Sequence, residues 1–411
     1  MANSILRFTT AGDVDDGKST LIGRLLLDGQ ALSDDQIQAV RNRNGSGGID
    51  LAMFTDGLRQ EREQGITMDV AYRYFSTTVR KFIIADAPGH FQYVGNMVTA
   101  ASTADVALIL IDAVDGPVEQ SFRHACLASL LGVPRMIVVV NKMDLLGYRE
   151  EEFLRIVRDF TGFTRRLEIP DVEYIPISAL HGDNVVSPSP AMPWYRGMTL
   201  LKMLEQVAIG NGQAGIGFRF PIQQVVELPS DAPGGTQGYA GRVVSGRIRI
   251  GQPVVVSPGG TASRIASIRL GDRLLDEASA SMSVLLTLEN ESSAVRGDVF
   301  CSPEHLPEIA DTLVLRACWL DRTPLQPGSR TMLRHNGVEL EAMVSAVHHR
   351  IDVTSLAEKE CRQLGWNEIG KVTVRLGRPV PVDPYRVNRT MGSLIFIDEK
   401  TGITVGAGMV E

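Results

Sequence analysis

The sequence predicts an α/β domain with a mostly parallel sheet over roughly the first 210 residues, then two smaller antiparallel β units. Three observations carry this. Apolar runs alternate with helical periodicity through the first half. Four glycines at 210–217 mark a linker where the pattern changes. Beyond it, short β-rich runs recur with Gly, Pro and Asp between them. The 411 residues suffice for two or three domains, and 44% apolar with 22% charged residues is an ordinary globular balance.

In order, residues 5–11 read as a strand entering a glycine loop, and 20–27 as the helix that follows. Residues 70–75 and 79–85 read as a hairpin. The runs 106–111 and 136–140 are continuously apolar, as strands buried on both faces are. Helical periodicity covers 118–131, 150–160 and 199–207, with a strand at 173–177 and a Pro/Ser/Asn loop at 182–193. The first β unit has runs at 221–228, 239–248, 253–256, 263–270 and 284–288, which suit a small barrel or a sandwich. The second has runs at 330–335, 339–349, 371–376 and 394–397, with the joint at 303–307.

Gly12-Asp13-Val14-Asp15-Asp16-Gly17-Lys18-Ser19 fits the phosphate-loop pattern, with a strand before it and a helix after it. Its glycines let backbone N–H groups turn toward a β-phosphate, and Thr20 continues into the helix whose N-terminus favours an anion. Lys18 can reach the β- and γ-phosphates, and Ser19 can offer its hydroxyl to Mg²⁺. A second spelling at 365–371 has Val372 in place of that hydroxyl and reads as chance.

Asp86-Ala87-Pro88-Gly89-His90 ends an apolar strand. Asp86 can hold Mg²⁺, the Gly89 amide can sense a γ-phosphate, and His90 can orient an attacking water. Thr67, in Gly65-Ile66-Thr67, can close over Mg²⁺ and the γ-phosphate. Asn141-Lys142-Met143-Asp144 ends the next buried strand. A carboxylate at Asp144 accepts from guanine N1–H and the 2-amino group, which adenine lacks, while Asn141 and Lys142 brace the pocket. Backbone amides of Ser178-Ala179-Leu180 can meet the guanine 6-oxo group. The five motifs in this order specify a GTP site with Mg²⁺, with His90 and Thr67 as the catalytic candidates.

The net charge of −7 offers no broad basic footprint, so neither nucleic acid nor a membrane is expected as a partner. No apolar window approaches the ~18 residues of a membrane span, and no signal peptide is visible. Cys126, Cys301, Cys318 and Cys361 lie far apart, and a cytoplasmic chain with reduced thiols is expected. His348 and His349 are adjacent on a strand, so they face opposite sides and make a poor metal site.

With these motifs the chain resembles translation-factor-class GTPases of the elongation factor Tu type. Within that class it is similar to the sulfate adenylyltransferase large-subunit family at 13–20, 56–75, 178–194, 218–226 and 392–410. Asp13 and Ala87 stand where that family more often shows a small polar residue or Thr. The resemblance implies an α/β P-loop GTPase domain, residues 1–212, followed by two small antiparallel β-barrel domains, 213–305 and 306–411. It implies GTP hydrolysis that drives ATP and sulfate to adenosine 5′-phosphosulfate and diphosphate on a separate small ATP-handling subunit. An appended adenylylsulfate kinase activity is not expected. The rival expectations are delivery of aminoacyl-tRNA and a regulatory GTPase without an enzymatic partner.

Overall fold

The computed structural model describes residues 4–32, 34–35, 37–38, 51–54, 70–208, 216–229, 236–290 and 292–411. These fall into two compact units, one up to residue 208 with 352–357, the other the remaining described residues from 216 on.

The first unit is an α/β sheet. Its strands are β1 (Ile5–Ala11), β2 (Ala71–Ser76), β3 (Lys81–Asp86), β4 (Val106–Asp112), β5 (Arg135–Asn141) and β6 (Asp171–Pro176). Its helices are α1 (Lys18–Asp28), α2 (Val94–Ser102), α3 (Glu119–Leu130), α4 (Glu150–Thr164) and α5 (Leu200–Gln206). The sheet order is β2-β3-β1-β4-β5-β6, parallel except for β2 against β3. All of β4 is buried, which explains its unbroken apolar run. On α1, Leu21, Ile22 and Leu25 share one face and are fully buried in a core with Leu6 and Phe8 of β1.

Register decides where the chemistry collects. Thr10 pairs with Asp86 and Asp112 with Asn141, so the loops after β1, β3, β4 and β5 leave from one edge of the sheet. That carboxyl-terminal edge is where open α/β sheets bind ligands.

The second unit is all β apart from one short helix. It opens with β7 (Arg219–Glu227), β8 (Gln237–Arg242), β9 (Arg247–Arg249), β10 (Pro253–Ser257), β11 (Thr261–Leu270), β12 (Arg273–Leu275), β13 (Glu277–Ser279), β14 (Ser283–Leu288) and β15 (Val299–Cys301). Strands β10, β15, β7, β8, β14 and β11 pair in that order and β11 returns to β10, closing a six-stranded barrel around Phe220, Ile222 and Phe300. Next come β16 (Glu308–Trp319), β17 (Arg330–His335), β18 (Val338–Ile351), β19 (Glu358–Glu360), β20 (Ile369–Val382), α6 (Arg389–Gly392), β21 (Ser393–Ile397) and β22 (Thr404–Val410). Here β17, β21, β22, β16, β20 and β18 close a second six-stranded barrel. Closure leaves neither ring an open edge. Buried Arg219 donates through Nε and Nη2 to both oxygens of Asp383, at 3.0 and 3.1 Å, and ties β7 to the segment after β20.

The rings resolve the choice between barrel and sandwich in favour of barrels. The run at 239–248 is two strands. Gly246 turns the chain with φ 68°, and a Cβ there would stand 2.8 Å from the Phe218 nitrogen. The second phosphate-loop spelling is indeed chance: Gly370 and Lys371 lie inside β20, and Lys371 Nζ pairs with Glu411 at 2.5 Å. His348 bonds Thr373 while His349 faces Glu358, as opposite faces of a strand require. Among the described residues no helix is long and apolar enough to cross a membrane.

Candidate functional site

The phosphate loop leaves β1 at Ala11 and enters α1 through Gly17, whose φ of 90° is open to glycine. A Cβ on Gly17 would lie 2.4 Å from Asn141 Nδ2, so the close approach of these two motifs requires glycine as well. Asp15 also takes a left-handed conformation, φ 68°, which Asp tolerates better than most residues. Ser19 and Thr20 sit in the first turn of α1, and Val14 stands exposed at the loop's tip.

Lys18 is buried and donates to the carbonyls of Gly12 at 3.1 Å and Asp13 at 2.6 Å. The buried carboxylate of Asp16 accepts from the Asp13 N–H at 2.5 Å. Burial pushes the Asp16 carboxyl up to about 6 although Lys18 pulls the other way. Burial also lowers the Lys18 ammonium, opposed by Asp16 and Asp86. Both shifts share one cause, a charged loop held away from water.

Asp86 is buried at the end of β3 and accepts from Thr10 Oγ1 at 2.8 Å. Gly89 lies against the phosphate loop: a Cβ on it would stand 2.4 Å from the Gly12 carbonyl oxygen and 2.5 Å from Lys18 Nζ. Its own carbonyl accepts from Gln120 Nε2 at 3.1 Å, and Arg123 Nε holds Gln120 Oε1 at 3.1 Å. His90 is exposed, and its Nδ1 accepts from the Gln92 N–H at 3.3 Å. Thr67 lies outside the described residues.

The base end is built on Asn141, buried at the end of β5. Its Nδ2 donates to the Asp16 carbonyl at 2.8 Å, and its Oδ1 accepts from the Ala179 N–H at 2.9 Å. One side chain thus joins the phosphate loop to the Ser178-Ala179-Leu180 loop. Lys142 is left-handed at φ 63°, and its Nζ pairs with Asp112 at 2.7 Å. Asp144 follows in a short 3₁₀ turn, 3.8 Å from His181 Nε2. Ser178 is fully buried, with Oγ accepting from the His181 N–H at 3.3 Å, while Leu180 is exposed.

Three contributors escaped the motif reading. Asp112 ends an apolar strand as Asp86 does, and that parallel was its signal. Gln120 and Arg24 gave none, because each reaches across the sequence to a backbone carbonyl.

Residues 3–209 match the family described as the elongation factor Tu GTP binding domain, and 312–411 match the GTP-eEF1A C-terminal domain-like family. Sulfate adenylyltransferase subunit 1 from Laribacter hongkongensis is 46% identical, covering 99% of this chain and 85% of that protein. This chain belongs to the sulfate adenylyltransferase subunit 1 family. The family's protein from Alteromonas mediterranea is 44% identical over 99% of this chain and 86% of its own length. A bifunctional enzyme CysN/CysC from Rhodopirellula baltica is 45% identical over 99% of this chain, which spans 63% of that enzyme.

Proposed function

We propose that this chain is the GTP-hydrolysing subunit of a sulfate adenylyltransferase and that its work is done with a separate ATP-handling subunit. The observation that carries the GTP half is the Asn141 bridge, which ties the phosphate-loop motif to the base-reading motifs. The sulfate half rests on the names of relatives 44–46% identical along 99% of the chain, which favour it over aminoacyl-tRNA delivery.

In this reading the backbone of residues 12–20 cradles the phosphates and Lys18 offsets their charge. Asp144 selects guanine through its paired acceptors, with Lys142 held beneath it by Asp112. Ser19, Thr67 and Asp86 supply hard oxygen donors that suit Mg²⁺, whose charge would offset that of the β- and γ-phosphates. The buried carboxylate at the end of β3, which acts electrostatically on Lys18 at the start of α1, fits that assignment. His90 orients a water for attack on the γ-phosphorus as the bond to the bridging oxygen breaks, releasing phosphate. Loss of the γ-phosphate frees the Gly89 segment and the Thr67 loop, and that change is passed to the partner. Domain limits of 1–212, 213–305 and 306–411 belong to the same proposal, supported by the two closed strand rings. Four cysteines outside any disulfide suit a reducing cytoplasm.

The test mixes the chain with its small subunit, ATP, sulfate and either GTP or a non-hydrolysable analogue. Faster adenosine 5′-phosphosulfate formation with GTP is expected. Equal rates would end the coupling claim.

A further inference from the structure

Arg24 lies in the second turn of α1, yet its guanidinium leaves the helix to hold the loop of residues 178–182. Nε donates to the Ala179 carbonyl at 3.2 Å, and Nη2 donates to the Leu180 carbonyl. Nη1 pairs with Asp28 at 3.2 Å, one helical turn along. The side chain is 18% exposed: its bond to the Ala179 carbonyl is part-buried, while those to Leu180 and Asp28 lie at the surface. The loop lies tightly on it: a Cβ on Gly182 would stand 3.2 Å from Asp28 Oδ2 and 3.4 Å from Arg24 Cδ.

A trans peptide points its C=O and N–H in opposite directions. Holding the Ala179 carbonyl toward α1 therefore turns the Leu180 N–H away from α1. The neighbouring donors are all engaged. Ala179 N–H goes to Asn141, His181 N–H to Ser178 Oγ, Gly182 N–H to the Ser178 carbonyl and Ser178 N–H to the Asp183 carbonyl. Among the described residues, Leu180 N–H is the one backbone donor of 178–182 with no acceptor.

We infer that Arg24 is a positioning residue for base recognition, aiming the Leu180 N–H at the 6-oxo group of guanine. The inference rests on the GTP reading above. Arginine suits the task because its planar fork serves two carbonyls and a carboxylate at once, which a lysine ammonium cannot do in one plane.

Calorimetry on the intact chain tests it with three diphosphates: GDP, inosine diphosphate, which keeps the 6-oxo group, and 2-aminopurine riboside diphosphate, which lacks it. Arg24→Ala is expected to weaken GDP and inosine diphosphate about tenfold, the value of one well-placed hydrogen bond, and the 2-aminopurine nucleotide less than about twofold. Asp28→Asn, which leaves the fork but loosens it, should give the same pattern at roughly two- to threefold. It keeps the test open if Arg24→Ala folds poorly. Equal weakening of all three nucleotides would reduce Arg24 to a structural tie, and unchanged GDP affinity would remove its role. Wild-type protein that binds GDP no better than ADP would instead overturn the guanine reading beneath it.

Discussion

The two ends of the pocket are built on opposite principles. At the base end, Asn141 and Arg24 hold backbone groups through directed hydrogen bonds, most of them between neutral partners or to carbonyls. At the phosphate end, Asp13, Asp15 and Asp16 crowd around one buried lysine, and burial drives both Asp16 and Lys18 toward their neutral forms. In the proposed reading, the groups that select guanine are in place once the chain folds, whereas a phosphate would meet a charge cluster that folding leaves in tension.

The largest expected effect falls on the bridge between the ends. Asn141→Ala strands the Asp16 carbonyl and the Ala179 N–H, both buried, so urea unfolding should show a loss of about 2–4 kcal/mol. A loss below about 0.5 kcal/mol, the level of an ordinary surface substitution, would mean the ends are not coupled.

Next comes the charge cluster. Asp16 has a folded value of about 6 against 3.8 in the free side chain, so the fold favours its protonated form. Its penalty is absent below pH 4, grows from 4 to 6 and is complete above 6. In nucleotide-free protein, Asp16→Asn should be stabilising at pH 7.5 by up to about 3 kcal/mol and much less so at pH 5. A gain independent of pH would contradict the cluster's tension.

A smaller effect of opposite sign comes from His124 on α3, fully buried with Nδ1 unpartnered among the described residues. Burial, reinforced by Lys18 and Arg123, pushes it down to about 3 from 6.5. The unfolded chain therefore takes up a proton below pH 6.5 that the folded chain refuses, and stability drops as pH falls. His124→Asn should remove about 1 kcal/mol of acid lability between pH 6.5 and 5.5, read from unfolding midpoints. An unchanged slope would place the histidine in contact with water.

The smallest effect concerns Gln120, which holds the Gly89 carbonyl. Gln120→Ala should lower kcat for GTP hydrolysis about two- to fivefold while leaving GDP affinity unchanged, since one neutral hydrogen bond is removed. Loss of GDP affinity in step with kcat would point to general loosening of the loop.

Much of this was readable in advance because the sheet is nearly parallel. Strands β1, β3 and β5 each run into a motif, so the apolar runs before Gly12, Asp86 and Asn141 announced the strands and the edge where the motifs gather. The barrels were less legible. Short strands such as β12, β13 and β15 have three residues each, too few for alternation to register. Arg24 and Gln120 were hidden for another reason. Their partners are carbonyls on other elements, and such pairings exist only once the chain has folded.

The central claim is that one carboxylate, Asp144, reads guanine in a pocket braced by Asn141. Calorimetry of Asp144→Asn with GDP and with xanthosine diphosphate tests it directly. The account predicts about a hundredfold loss for GDP, from two charge-assisted hydrogen bonds, with affinity regained for the xanthine nucleotide. Unchanged preference for GDP would contradict it.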